Sequence, residues 1–116
     1  MKPKVYIDGK EGTTGLQIYE RLGSRTDIDL LLIDEEKRKD TAARQKLLRA
    51  ADLAFLCVPD AAAREAVALA EHGRAKLIDA STAHRTEAGW VYGFPELLAG
   101  QRQRVEGAGR VANPGC

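Results

Sequence analysis

The sequence predicts a doubly wound α/β domain, a mostly parallel sheet with helices packed on both sides. Three observations carry this. Short apolar runs alternate with helical patterns, strand then helix, through the first 80 residues. A glycine triplet, Gly9, Gly12 and Gly15, sits at the first strand-to-helix junction. The stretches that look chemical (the glycines, Pro59, Ser81 to Arg85 and Cys116) each follow an apolar run. Right-handed crossovers would gather them along one sheet edge, where ligands of such sheets bind.

Val5-Tyr6-Ile7 is the first strand, ending at Asp8. Thr14, Ile18 and Leu22 recur every four residues and predict a helix stopped by Gly23. Residues 28–33 (Ile-Asp-Leu-Leu-Leu-Ile) form a continuous apolar run bounded by Asp34, which predicts a strand covered on both faces. Asp40 is placed to cap a helix through Leu48, with Ala43, Leu47 and Leu48 on its apolar face. Residues 53–58 are the third buried strand, closed by Pro59. Asp60 is expected to cap an alanine-rich helix through Glu71, with Gly73 past its end. Residues 76–79 make the fourth strand, 90–92 and 111–112 two further short ones, and 95–104 a short helix. No repeat, linker or low-complexity stretch divides the chain, so residues 1–116 read as one dinucleotide-binding domain ending at Cys116.

A length of 116 residues suits one domain, and 44% hydrophobic residues suffice for a core. Disordered, collagen-like and mucin-like classes are excluded. Eighteen Lys and Arg against seventeen Asp and Glu leave a net charge of +1, interspersed except at Lys37-Arg38-Lys39. Neither nucleic acid nor a membrane is therefore an expected partner. Only three apolar-type residues separate Lys4 from Asp8, too few for a signal-peptide core, and no run approaches a bilayer span. Two cysteines do not make a disulfide framework, and the cytoplasm is the expected compartment. No His, Cys and carboxylate cluster has metal-ligand spacing, so no metal is expected.

Gly9, Gly12, Thr13, Thr14 and Gly15 would let backbone N–H groups and a helix N-terminus approach a pyrophosphate, as in a Rossmann-type dinucleotide site. The spacing is G-x-x-G-x-x-G, and the plainer reading is a tight strand-to-helix turn. Pro59 joins this group on the same edge. Asp34 lies where an acidic residue would grip an adenosine ribose, which argues for NAD. Lys37, Arg38 and Lys39 follow and suit a 2′-phosphate, which argues for NADP, unless the whole turn is merely solvated.

Cys116, after Asn113-Pro114-Gly115, sits in a constrained turn that can present a reactive thiol, although a cysteine there by chance reads the same. Cys57 reads as a small core residue. Ser81, Thr82 and Arg85 can form an anion site, or Arg85 can be plain surface. His84 is a candidate base but is expected to be exposed and idle, and His72 to be structural at a helix end.

Four segments in order, Ile7-Asp8-Gly9 with 12–18, Ile78 to Thr86, Tyr92-Gly93-Phe94-Pro95-Glu96-Leu97, and Ala112-Asn113-Pro114-Gly115-Cys116, resemble N-acetyl-gamma-glutamyl-phosphate reductases of the shorter form. The resemblance implies NADPH-dependent reduction of an acyl phosphate, with NAD the less favoured cofactor. It implies Cys116 as the nucleophile that forms a thioester, Arg85 as a phosphate or substrate-anion contact, and Asn113 orienting the reacting group. It also implies a C-terminal substrate and dimerisation domain and a general base beyond Cys116, and a homo-oligomer. Alternatives are a related reductase for aminoadipyl phosphate, an aspartate-semialdehyde dehydrogenase, or a nucleotide-sensing module without catalysis.

Overall fold

The computed structural model describes residues 2–9, 12–81, 83–84, 89–92 and 109–112. The apolar run at the start forms β1 (Lys4–Asp8), and the chain turns through Gly9 and Gly12 into α1 (Thr13–Gly23). It then forms β2 (Asp29–Leu31), a single 3₁₀ turn (Glu35–Lys37), α2 (Thr41–Ala50), β3 (Leu53–Leu56), α3 (Asp60–Leu69) and β4 (Lys76–Asp79). Two short strands follow, β5 (Val91–Tyr92) and β6 (Arg110–Ala112), both where the sequence expects them. The segment 95–104 lies outside the described residues.

The strands join one six-stranded sheet in the order β2-β1-β3-β4-β6-β5, and every pairing is parallel. The doubly wound expectation holds. From β1 the chain crosses outward to β2, then returns past β1 to β3, so its winding direction reverses between β1 and β3. In such sheets the strand ends part at that reversal and leave a crevice.

Tyr6, Ala54, Leu56 and Leu77 line one sheet face and pack with Leu48 and Ala51 from around α2 and with Ala66 and Ala70 from around α3. Their cross-strand registers, Tyr6 with Ala54 and Ala54 with Leu77, put them side by side. Alanine at 63, 66 and 70 lets α3 lie close to the sheet. The handedness of β-helix-β crossovers places α1 on the opposite face, where Gly15 is its buried residue and Leu16 remains 45% exposed.

Three expectations need correction. β2 is not buried on both faces: Leu30 and Leu31 are only half-buried and Leu32 beyond them is 54% exposed, in a three-residue edge strand paired with β1 alone. Apolar content alone does not distinguish an edge from a central strand, and the chain reversal assigns β2 to the edge. Asp60 is not the cap of α3 but its first residue, because Pro59 takes the capping position with φ −58° and ψ 158°. The helix ends at Leu69, two residues before the expected Glu71; Gly73 lies past its end as expected, and His72 takes the left-handed conformation with φ +66°. Asp40 caps α2 as expected, its Oδ1 accepting the Ala42 N–H at 3.0 Å. Among the described residues no helix is long and apolar enough to cross a membrane.

Candidate functional site

The crevice opens where β1 and β3 end. Gly9 turns the chain out of β1 with φ +86°, a conformation that side chains disfavour. A Cβ there would overlap the Cys57 carbonyl and lie 2.8 Å from Val58 Cγ1, so the two strand-end loops approach closely only because residue 9 is glycine. The Gly12 N–H donates to the Gly9 carbonyl at 3.1 Å, and the Gly12 carbonyl accepts from Leu16 at 2.8 Å, which starts α1. Among the described residues no side chain caps this helix, and Thr13 and Thr14 are exposed in its first turn. Gly15 is buried beneath them.

A cleft of about 350 Å³ lies beside Gly9. Val58, Pro59 and Ala62 bound it on the β3–α3 side, Arg38 and Lys39 on the side of the loop after β2, and Asp8, Arg44 and Glu65 complete its lining. The basic run is divided: Lys37 lines a separate cleft of about 180 Å³ together with Asp34. Arg38 and Lys39 therefore share a cleft with the glycine turn, whereas Lys37 and the ribose candidate Asp34 do not.

Sequence reasoning missed the polar cluster at this cleft. Arg44 is 5% exposed and Asp8 2%. The Arg44 guanidinium donates to both Asp8 oxygens, Nε to Oδ1 at 3.1 Å and Nη2 to Oδ2 at 2.7 Å. Nη2 also donates to the Ala62 carbonyl at 3.2 Å, and Nη1 pairs with Glu65. The Tyr6 hydroxyl donates to Asp8 Oδ1 at 3.1 Å. Burial opposes the charge on Arg44, but the hydrogen bonds and charge of Asp8, supported by Glu65, outweigh it and hold the guanidinium above its ordinary pKa. A signal existed in the sequence: Arg44 is four residues before Leu48, so it falls on the buried face of α2.

A second cluster follows β4. Asp79 is fully buried and accepts the Ser81 N–H at 2.9 Å, while Ser81 Oγ accepts the Ala83 N–H at 3.1 Å. His84 is 3% exposed, pairs through Nδ1 with Asp79, and stacks on Trp90 with ring centroids 4.3 Å apart. This corrects the expectation that His84 is exposed. Ala112 pairs in register with Asp79, so β6 ends level with this cluster. Thr82, Arg85, Asn113 and Cys116 lie outside the described residues.

Cys57 sits just beyond β3 and is half-buried. Burial, then the charges of Asp8 and Asp79, push its thiol up to about 11. It is not an activated nucleophile. Among the described residues no group of His, Cys, Asp and Glu is arranged to hold a metal ion.

Gly9 shares one cleft with the cations Arg38 and Lys39, and the glycine turn leads from it into the start of α1; this arrangement suits a dinucleotide phosphate. Comparison with known proteins agrees with this geometry. The chain is 59% identical over 115 residues to an N-acetyl-gamma-glutamyl-phosphate reductase of Trichormus variabilis, covering 99% of this chain and 36% of that protein. It is 56% identical over 114 residues to the same-named protein of Burkholderia ambifaria, covering 98% and 36%. The chain thus spans little more than a third of the length of these relatives. Among solved structures, aspartate semialdehyde dehydrogenase II of Vibrio cholerae, in a complex with ASA, superposes with a TM-score of 0.70 at 16% identity, over 98% of this chain and 38% of that one. The enzyme of the same type from Francisella tularensis gives 0.68 at 14%, over 97% and 36%. These two likenesses show the fold. The family described as "Semialdehyde dehydrogenase, NAD binding domain" matches residues 33–105. From the β1/β3 crevice to this match, sequence and geometry point the same way, and the chain belongs to the semialdehyde dehydrogenase NAD-binding-domain family.

Proposed function

We propose that this chain is the dinucleotide-binding part of an NADPH-dependent reductase that converts N-acetyl-gamma-glutamyl phosphate to N-acetylglutamate 5-semialdehyde and phosphate. The observation that carries the reading is the 59% identity to a reductase of that name over nearly the whole chain. The cleft adds physical support: Arg38 and Lys39 offer charge suited to a 2′-phosphate beside the glycine turn, while Asp34 stands apart. When bound, NADPH supplies the hydride.

The chain's own residues then have defined tasks. Gly9, Gly12, Thr13, Thr14 and Gly15 bring backbone donors to the pyrophosphate, with Pro59 and Arg38 on the opposite walls. The Cys116 thiolate attacks the acyl carbon; the C–S bond forms as the C–O bond to phosphate breaks. After hydride addition the alkoxide takes a proton from the donor to give a thiohemiacetal; as the C–S bond breaks, that hydroxyl proton returns to the same group, and the aldehyde leaves with the thiolate regenerated. Arg85 and Ser81 hold the departing phosphate, and Asn113 orients the carbonyl. The remaining substrate contacts and the proton donor come from the part of the enzyme that corresponds to the unmatched length of the relatives, in a homo-oligomer. A thiol nucleophile must stay reduced, which suits the cytoplasm.

The complete enzyme tests this with three acyl phosphates: N-acetyl-gamma-glutamyl, aspartyl and aminoadipyl. NADPH consumption with matching phosphate release is expected for the first alone, and Cys116→Ser is expected to abolish it while NADPH still binds. In the reverse direction, Arg85→Ala should weaken phosphate far more than dinucleotide. A preference for aspartyl or aminoadipyl phosphate would replace this reading with another acyl-phosphate reductase.

A further inference from the structure

Arg44 touches both walls of the cleft from a third element. From α2 its Nε and Nη2 reach Asp8, the residue directly before Gly9, at 3.1 and 2.7 Å. Its Nη2 also donates to the carbonyl of Ala62, in the first turn of α3, at 3.2 Å, and Nη1 pairs with Glu65 one turn further on. The third wall adjoins the same helix: Arg38 and Lys39 immediately precede Asp40, the cap of α2, which carries Arg44.

Arg44 lines the cleft but is only 5% exposed, and its donors are engaged by Asp8, Ala62 and Glu65, so it offers a ligand little surface. Stability alone does not call for an ion pair here, because apolar residues of similar volume fill such a site without the cost of desolvating two charges. An arginine fork does what an apolar side chain or a lysine cannot: it holds three acceptors at fixed directions from one plane.

We infer that Arg44 sets the width of the dinucleotide cleft, as a positioning residue that acts through the strand and helix ends it holds and not by touching the cofactor. This rests on the reading of the cleft as a dinucleotide site. A lysine at 44 keeps the charge opposite Asp8 but reaches fewer of the acceptors. The pair Asp8→Asn with Arg44→Met removes both buried charges while roughly keeping the volume, which protects folding.

The test uses the complete enzyme, with calorimetric titration of NADPH, steady-state kinetics and hydrogen exchange. Arg44→Lys and the double variant are each expected to raise the Kd for NADPH roughly tenfold or more, since displacing a binding wall by about an ångström is that costly. KM for NADPH should rise in parallel, while saturating NADPH recovers most of kcat, which is the signature of a site that binds poorly but still reacts. In the wild-type enzyme, NADPH should slow amide exchange in the first turns of α2 and α3 together with the β1–α1 turn. Folded variants that bind NADPH within about twofold of wild type, or wild-type protection confined to the β1–α1 turn, would overturn the inference. A wild-type enzyme that binds neither NADPH nor NADH would instead overturn the dinucleotide reading, and the inference with it.

Discussion

The carbonyl oxygen of Cys57 occupies the space into which any side chain at Gly9 would project. That close approach brings the end of β3 against the turn after β1 at the crevice. Gly9→Ala would combine this overlap with a φ of +86°, and is expected to cost about 2 kcal/mol or more of stability. Gly23 is the contrast: among the described residues nothing lies within 4 Å of its Cβ position. Gly23→Ala, at the end of α1, is expected to be neutral or to stabilise by up to about 1 kcal/mol. Urea unfolding of both variants, with NADPH titration alongside, checks the pair. Equal effects at the two glycines would mean that the close approach at Gly9 is unimportant.

His84→Ala removes a ring packed between Asp79 and Trp90 and leaves a fully buried carboxylate short of a partner. A loss of about 3 kcal/mol is expected from the cavity and the unmet hydrogen bond together. Trp90 is the single tryptophan of these 116 residues, and its emission should move to the red as water replaces the imidazole. Unchanged emission with a loss below about 1 kcal/mol would assign His84 no structural role.

Local chemistry was legible in the residues themselves. The glycine turn, the Asp40 cap and the strands β1, β3 and β4 are written in short stretches whose residues act on their own neighbours. The features that were missed depend on partners far along the chain. Arg44 meets Asp8 across 36 residues, and Glu65 across 21. His84 looked like a loop residue because nothing in its immediate sequence announces a buried Asp79 on one side and a stacked Trp90 on the other. Likewise, the run 28–33 is apolar enough for a central strand, and only the sheet order places β2 at the edge. The division of Lys37 from Arg38 and Lys39 follows from the 3₁₀ turn at Glu35–Lys37, which spacing alone did not suggest.

Cys57 should resist alkylation. With its pKa raised to about 11, it is nearly all thiol at pH 8, whereas an activated cysteine is largely thiolate. In the complete enzyme, iodoacetamide at pH 8 is expected to label Cys116 first and Cys57 slowly, as read by peptide mass spectrometry. The same shift has a stability consequence. Unfolding releases the thiol to its ordinary value near 9, so between about 9 and 11 the unfolded chain holds fewer protons than the folded one. The stabilising effect of the neutral thiol is complete below that window and is lost as pH rises through it. Cys57→Ala should flatten the alkaline end of the stability profile; an unchanged profile would contradict the assignment.

The central claim is that the crevice between β1 and β3 holds a dinucleotide whose 2′-phosphate meets Arg38 and Lys39. Calorimetric titration of NADPH and NADH into the complete enzyme and into its Arg38→Ala/Lys39→Ala variant tests it most directly. Each charged contact is worth roughly 1.5 to 3 kcal/mol, so wild type should prefer NADPH by roughly tenfold or more. The variant should lose that preference while its affinity for NADH stays nearly the same. Equal or tighter binding of NADH by the wild-type enzyme, or a preference for NADPH that survives removal of both cations, would contradict the account.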